Sequence, residues 1–236
     1  MNKLTYILSV LRSPRKIVRS LSYIINDEVY WDAYVRDWLR SGQGAELTYL
    51  GNEWKNEELF LSLLEKYSTT NGMALEIGCG GGRITSKAAK LFRHVQAADV
   101  SSEMLRQCQR SLPYKNVSYH KIDGFTLNGF PDSSVGFVFS HDVFVHFSSL
   151  QVYPYLEEIR RVLKQGGIGL VSFYGFQNSF ELFKKMALRH RDERRFPPHM
   201  RVHFVTEEMI RLMLSDLGFE VLGFDNTNFL IAAFRK

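Results

Sequence analysis

Two carboxylates, a run of glycines and two imidazoles are the residues of this chain whose types and spacing can do chemistry. Glu76 stands in an apolar run, Met73 to Ile77, that breaks into Gly78-Cys79-Gly80-Gly81-Gly82. Glycine lets the backbone approach a ligand and adopt positive φ. An amphipathic pattern begins at once with Ile84, Ala88 and Leu91, so the order is strand, glycine loop, helix, as in a nucleotide-binding turn. Such a loop aims the first amides of the helix, with their partial positive charge, at what lies above. Asp99 follows Gly78 by 21 residues and closes a second apolar run, Val95 to Ala98. A carboxylate there can accept two hydrogen bonds at once from a vicinal diol. His141 follows a third such run, with His146 five residues on. An imidazole can take a hydroxyl proton near neutral pH.

The details narrow the ligand. A dinucleotide fingerprint wants glycine at the sixth position, where Arg83 stands, and no Gly-Lys-Ser/Thr follows for a phosphate loop. What remains is Glu-x-Gly-x-Gly-x-Gly with a second acid at Asp99, which resembles the class I S-adenosylmethionine-dependent methyltransferases. Alone, the loop also fits a structural turn. The string Arg161-Val162-Leu163-Lys164-Gln165-Gly166-Gly167 is close to that family's RVLKPGG, with Gln165 for proline, while Gly136 replaces an acid usual early in the fourth strand. The resemblance covers about residues 56 to 236. It implies S-adenosyl-L-methionine as cofactor, held by Glu76, Gly78, Cys79, Gly80, Asp99, Val100, Met104, Asp123, Gly124, His141 and Asp142. In it the glycine loop faces the methionine part, Asp99 binds both ribose hydroxyls, and Asp123 binds the adenine amino group; the residues also allow Asp123 simply to start a turn before Gly124. His141 and Asp142 would line the methionine part, which makes His146 the preferred base, with His141 or His203 as alternates.

Strands and helices alternate from residue 73 onward, which predicts an α/β fold with a doubly wound, Rossmann-like, seven-stranded sheet. The strands expected are 73–77, 94–99, 117–122, 135–140, 168–174, 220–224 and 228–234, the short connection Asp225-Asn226-Thr227 making the last antiparallel. Helices are expected at 83–92, from an N-cap at Ser101 or Ser102, and at 153–164, where Gln165-Gly166-Gly167 would stop the chain. Residues 175–203 form an insertion after the fifth strand with a basic run, Lys184 to Arg195, that reads as a solvated face or as steering for an anionic acceptor. Residues 1–55 form an N-terminal helical extension. Within it, helices are read on either side of Pro14 and after Asp27, and the family resemblance makes the segment a lid with Tyr23, Tyr30, Trp31 and Tyr34 on the substrate side.

The 236 residues, 45% hydrophobic, can bury a real core. Net charge is +5, but Lys3, Arg12, Arg15, Lys16 and Arg19 account for all of it, and no acid precedes Asp27. The neutral body lacks the basic, aromatic face of a nucleic-acid binder. No apolar run approaches a membrane span, the opening lacks a signal-peptide cleavage site, and two cysteines make no disulfide framework, all of which fits the cytoplasm. The basic N-terminal helix reads as packed on the body, as a homodimer contact, or as a weak membrane-surface contact. No metal ligand set is expected. The reading is an O-methyltransferase for a small-molecule or glycan-like acceptor, with a non-catalytic cofactor-binding module and a nicotinamide oxidoreductase as the other classes.

Overall fold

The computed structural model describes residues 27–41, 57–68, 72–193, 202–227 and 229–236, with side chains left out at 190–193. Two helices, α1 (Asp27–Ser41) and α2 (Glu57–Tyr67), precede β1 (Met73–Ile77). There follow α3 (Thr85–Leu91), β2 (His94–Asp99), α4 (Ser102–Ser111), β3 (Val117–Lys121), β4 (Val135–Ser140) and a 3-10 turn at Phe144–His146. The chain continues through α5 (Ser149–Val162), β5 (Leu163–Gly175), α6 (Phe180–Glu193), β6 (Phe204–Val205), α7 (Glu207–Asp216), β7 (Glu220–Asp225) and β8 (Leu230–Arg235).

Seven strands run side by side in the order β3-β2-β1-β4-β5-β8-β7. Strands β1 to β5 are parallel, and β8 is antiparallel to both its neighbours, as the short connection predicts. The two-residue β6 adds a parallel pair to the end of β5. The order reverses between β1 and β4, the switch point where open α/β sheets bind ligands beyond the carboxyl ends of their strands. Alternate residues bury opposite faces. Leu75, Val138 and Val171 pack with α5 and α7, through Leu156, Ile159, Ile210 and Leu214. Ala74, Phe137, Phe139 and Leu170 pack with α2, α3 and α4, through Phe60, Leu64, Ala88 and Cys108.

Three boundaries depart from the sequence pattern. Helix α3 starts at Thr85, since Gly82 is held at φ 93° and Gly82 to Ile84 form turns. Helix α5 starts at Ser149 instead of Tyr153, because the Gln151 side chain returns to accept the Ser148 N–H at 3.0 Å. It accommodates Pro154 within its length. Most informative is the junction at residues 163–167. The Gly-Gly pair does not stop a helix; β5 begins directly at Leu163, opposite Val135, and resumes pairing at Ile168 opposite Phe137. The four residues between bulge outward, with Gly166 at φ 75°. A side chain on Gly167 would come within 2.8 Å of the Lys164 carbonyl and 3.1 Å of that of Gly136.

Candidate active site

Beyond the carboxyl ends of β1, β2 and β4 lies a cavity of about 440 Å³. Its floor is the glycine loop. Gly78 has φ 76°, and a side chain there would run into Val143 at 2.3 Å. Gly80 has φ 51° and faces open space, with nothing within 4 Å of where its Cβ would stand. The loop is fixed by Asp99, whose Oδ2 accepts the Gly80 N–H at 2.9 Å and whose Oδ1 accepts the Ser101 N–H at 2.8 Å. Burial raises the Asp99 carboxyl to about 6, against the pull of those amides. Each oxygen keeps a second acceptor position. Glu76 lies deeper, 2.5 Å from the Thr85 hydroxyl, and burial pushes its carboxyl to about 8.

Arg83 explains why the sixth position need not be glycine. Its guanidinium donates to Glu57 at 2.7 Å and to Asp142 at 2.8 Å, tying α2 to the segment after β4. Asp142 sits in the left-handed region at φ 60°, and its N–H donates to the Ser172 hydroxyl at 3.0 Å. Aspartate tolerates that conformation better than most residues. On the other side, Ser101 caps α4 by accepting the Met104 N–H at 3.0 Å. Asp32 of α1 accepts the Ser101 hydroxyl at 2.5 Å and the Glu103 N–H at 3.1 Å, which docks α1 against the first turn of α4.

Of the residues proposed for the cofactor, Glu76, Gly78, Cys79, Gly80, Asp99, Val100, Met104, Gly124, His141 and Asp142 all border this cavity. Asp123 is not among its lining residues. Its carboxylate accepts from the N–H groups of Phe125 at 2.8 Å and Thr126 at 2.7 Å and from the Thr126 hydroxyl, so it builds the turn, and Ile122 and Gly124 form the wall instead. The His141 ring is wedged between Phe60, 4.4 Å away, and Phe229, with Nδ1 3.1 Å from the Ser172 hydroxyl and Nε2 3.5 Å from Asp142. Burial lowers its pKa, partly offset by Asp142. His146 stands edge-on to Trp31 at 5.1 Å on the cavity wall.

The wall beyond His146 is apolar and aromatic. Trp31 and Tyr34 contribute from α1, Phe147 and Tyr155 from the segment after β4, Tyr174 from the end of β5, and Leu182 and Met186 from α6. Tyr30 is buried, and neither it nor His203 borders the cavity; Tyr23 and the helices read before Asp27 lie outside the described residues. The pattern did not single out Asp32, Tyr155, Tyr174, Leu182 or Met186. Tyr155 is buried on α5 with no local sign of a cavity beside it, and nothing local marks a polar residue such as Asp32 as the cap of a distant helix.

The switch-point cavity, the glycine loop and the acid closing β2 are together those of the class I S-adenosylmethionine-dependent methyltransferases. Residues 75–171 match the family model described as a methyltransferase domain, so the chain carries such a domain and S-adenosyl-L-methionine is its cofactor. A malonyl-[acyl-carrier protein] O-methyltransferase from Bacillus cereus is 32% identical over 138 residues, 57% of this chain and 50% of that protein. A phosphoethanolamine N-methyltransferase from Triticum aestivum is 27% identical over 169 residues, 71% of this chain and 33% of that protein. The chain thus spans half or less of the length of these curated relatives. In fold it is similar to the magnesium protoporphyrin IX methyltransferase from Synechocystis PCC 6803, solved with bound S-adenosylhomocysteine. That likeness has a TM-score of 0.67 at 18% identity and covers 89% of this chain and 97% of the other.

The residues present fit the cofactor. The open space above Gly80 admits a ligand against bare backbone, and the remaining acceptor positions of Asp99 suit a diol. The cavity volume is that of a small-molecule site.

Proposed function

We propose that the chain transfers a methyl group from S-adenosyl-L-methionine to a hydroxyl or carboxyl oxygen of a small apolar acceptor. One observation carries this reading: a single cavity joins the polar loop of Gly78, Gly80 and Asp99 to an aromatic chamber, with His146 and Trp31 between them. Bound at the polar end, the cofactor supplies an already activated methyl on a sulfonium. The protein then has to hold the acceptor in line, exclude water and manage a proton. Trp31 and Tyr34 cover the chamber, Tyr174 and Met186 shape it, and His146 takes the proton of a hydroxyl acceptor. His141, clamped by Phe60, Ser172 and Asp142, positions the segment that carries His146. The chamber favours an apolar acceptor over a glycan, because Arg83 is the sole Lys or Arg on the wall among the described residues and it is spent on Glu57 and Asp142.

Residues 1–55 are proposed as an extension that contributes the chamber's cover through α1, and 56–236 as the cofactor-binding domain, with 175–203 inserted after β5. Incubation with labelled methyl donor and a panel of phenols, fatty acids and sugars tests the reading. Label entering phenols or fatty acids supports it. Transfer to sugars alone refutes the apolar chamber, and cofactor binding without transfer to any acceptor favours a non-catalytic module.

A further inference from the structure

The cavity mouth opens at one edge of the molecule, and that edge is unusually apolar. Nine large hydrophobic side chains are exposed among the described residues, and three of them, Phe180, Phe183 and Leu188, lie on the single helix α6. Phe125, after β3, is 62% exposed, and Leu150, in the first turn of α5, is 85% exposed. Helix α6, which leaves β5, leaves Phe180, Phe183 and Leu188 part-exposed, the two rings resting on each other and on Phe176, while Leu182 and Met186 line the cavity. Positions 180, 183 and 188 fall on one side of the helix. Solvated helices do not ordinarily bear aromatic rings on their outer face; interfacial helices do.

Charge follows the same edge. Lys184, Lys185 and Arg189 are exposed on α6, among the exposed rings. Among the described side chains of α6, these three cations face one acid, Glu181, which lies 3.5 Å from Lys184.

We infer that the carboxyl edge, centred on α6, docks on an anionic lipid bilayer. Phe180, Phe183 and Leu188 enter the headgroup boundary and the lysines pair with the surface charge. Helix α6 is then a wall shared by bilayer and cavity, so an acceptor lodged in lipid reaches the chamber past Leu182 and Met186 without crossing water. This last step rests on the proposed methyltransferase reaction; the docking does not.

Vesicle co-sedimentation of the full chain tests it, with phosphatidylcholine alone and with phosphatidylcholine mixed with phosphatidylglycerol, in low and high salt. The protein should sediment with the anionic vesicles and less so in salt. The Phe180→Glu/Phe183→Glu variant should lose roughly tenfold or more of that binding. Lys184→Gln/Lys185→Gln should lose about fivefold per lysine on anionic vesicles only. Leu212→Glu is the control, because Leu212 is 72% exposed midway along α7, a helix that contributes no residue to the cavity wall. S-adenosylhomocysteine affinity, measured on every variant, should stay at the wild-type value and shows that each is folded. Absence of vesicle binding by wild type overturns the inference, as does equal loss in the Leu212 variant. A dimer in solution dissolved by the Phe180/Phe183 variant also overturns it, since a second copy would then cover the edge. Vesicle binding by a protein that binds no cofactor would leave the docking standing and defeat the catalytic reading.

Discussion

Asp99→Asn tests the two duties of this carboxylate. In the folded protein Asp99 holds two backbone N–H groups, at 2.9 and 2.8 Å, and keeps one acceptor position per oxygen for a diol. Alanine would strip both amides of their partner and blur a loss of loop structure with a loss of affinity. Asparagine keeps the shape and one carbonyl oxygen, but its NH2 then faces one of the two backbone N–H groups and can no longer accept from the diol, so one loop hydrogen bond is kept where alanine would lose both. One charge-assisted hydrogen bond to the ligand is then lost and a second weakened, which costs about 1.5 to 3 kcal/mol, or roughly tenfold to a hundredfold in Kd. The pH dependence gives a second signature. Burial raises the folded-state pKa to about 6, well above its value in the unfolded chain. The carboxylate that accepts the diol is therefore lost as pH falls through about 6, and wild-type affinity should weaken there by up to about tenfold per pH unit. The sign for stability is opposite: the folded state holds this proton more tightly, so Asp99 opposes folding as pH rises from about 4 to 6. Calorimetric titration with S-adenosylhomocysteine from pH 5 to 8 measures both. An Asp99→Asn protein that is folded, binds as tightly as wild type and keeps the same acid limb would refute the assignment.

Four further outcomes are expected. Gly80→Val should cost about 1 to 2 kcal/mol in stability through its φ of 51°, yet abolish cofactor binding, because its side chain would enter space that no protein atom fills; thermal melts and calorimetry read the two effects. His146→Ala should lose on the order of a hundredfold in turnover of a hydroxyl acceptor with cofactor affinity unchanged, and should lose the acid limb of the rate profile. Arg83→Met leaves Glu57 and Asp142 without their shared cation and should cost about 2 to 4 kcal/mol in urea unfolding. Trp31→Ala should raise the acceptor KM by about tenfold or more while S-adenosylhomocysteine binding falls little, since Trp31 meets His146 over the chamber.

Periodicity made the parallel core legible because β1, β2 and β4 are buried on both faces and α4 and α7 each start at a hydroxyl cap. Met73–Ile77, His94–Asp99 and Val135–Ser140 fall at the expected residues, and Ser101 caps α4 as its position predicts. The bulge at 164–167 was not legible: Gly-Gly after a basic helix end is a stop signal locally, and only the register with β4 turns it into a strand irregularity. In the cavity, residues adjacent to strand ends could be found because the sheet itself brings them together. Asp123 misled because an acid before glycine serves a turn or a ligand equally well, and the Phe125 and Thr126 amides decide between them. Tyr174, Leu182 and Met186 escaped because the chamber depends on how α6 folds back over the sheet, which no local spacing encodes.

The hydrogen bond from Gly80 to Asp99 has a consequence for which ligands are admitted. The amide that a phosphate loop would offer to an anion is here occupied by the protein's own carboxylate. Asp27, Asp99 and Asp142 border the cavity, and its one guanidinium among the described residues, from Arg83, is already paired. The field at the cofactor end is negative, so it repels pyrophosphates and attracts cations. It also distinguishes the two ends of a catalytic cycle: the sulfonium carries a positive charge in, the thioether left behind carries none, and the same acids that hold the donor loosen their hold on the spent product.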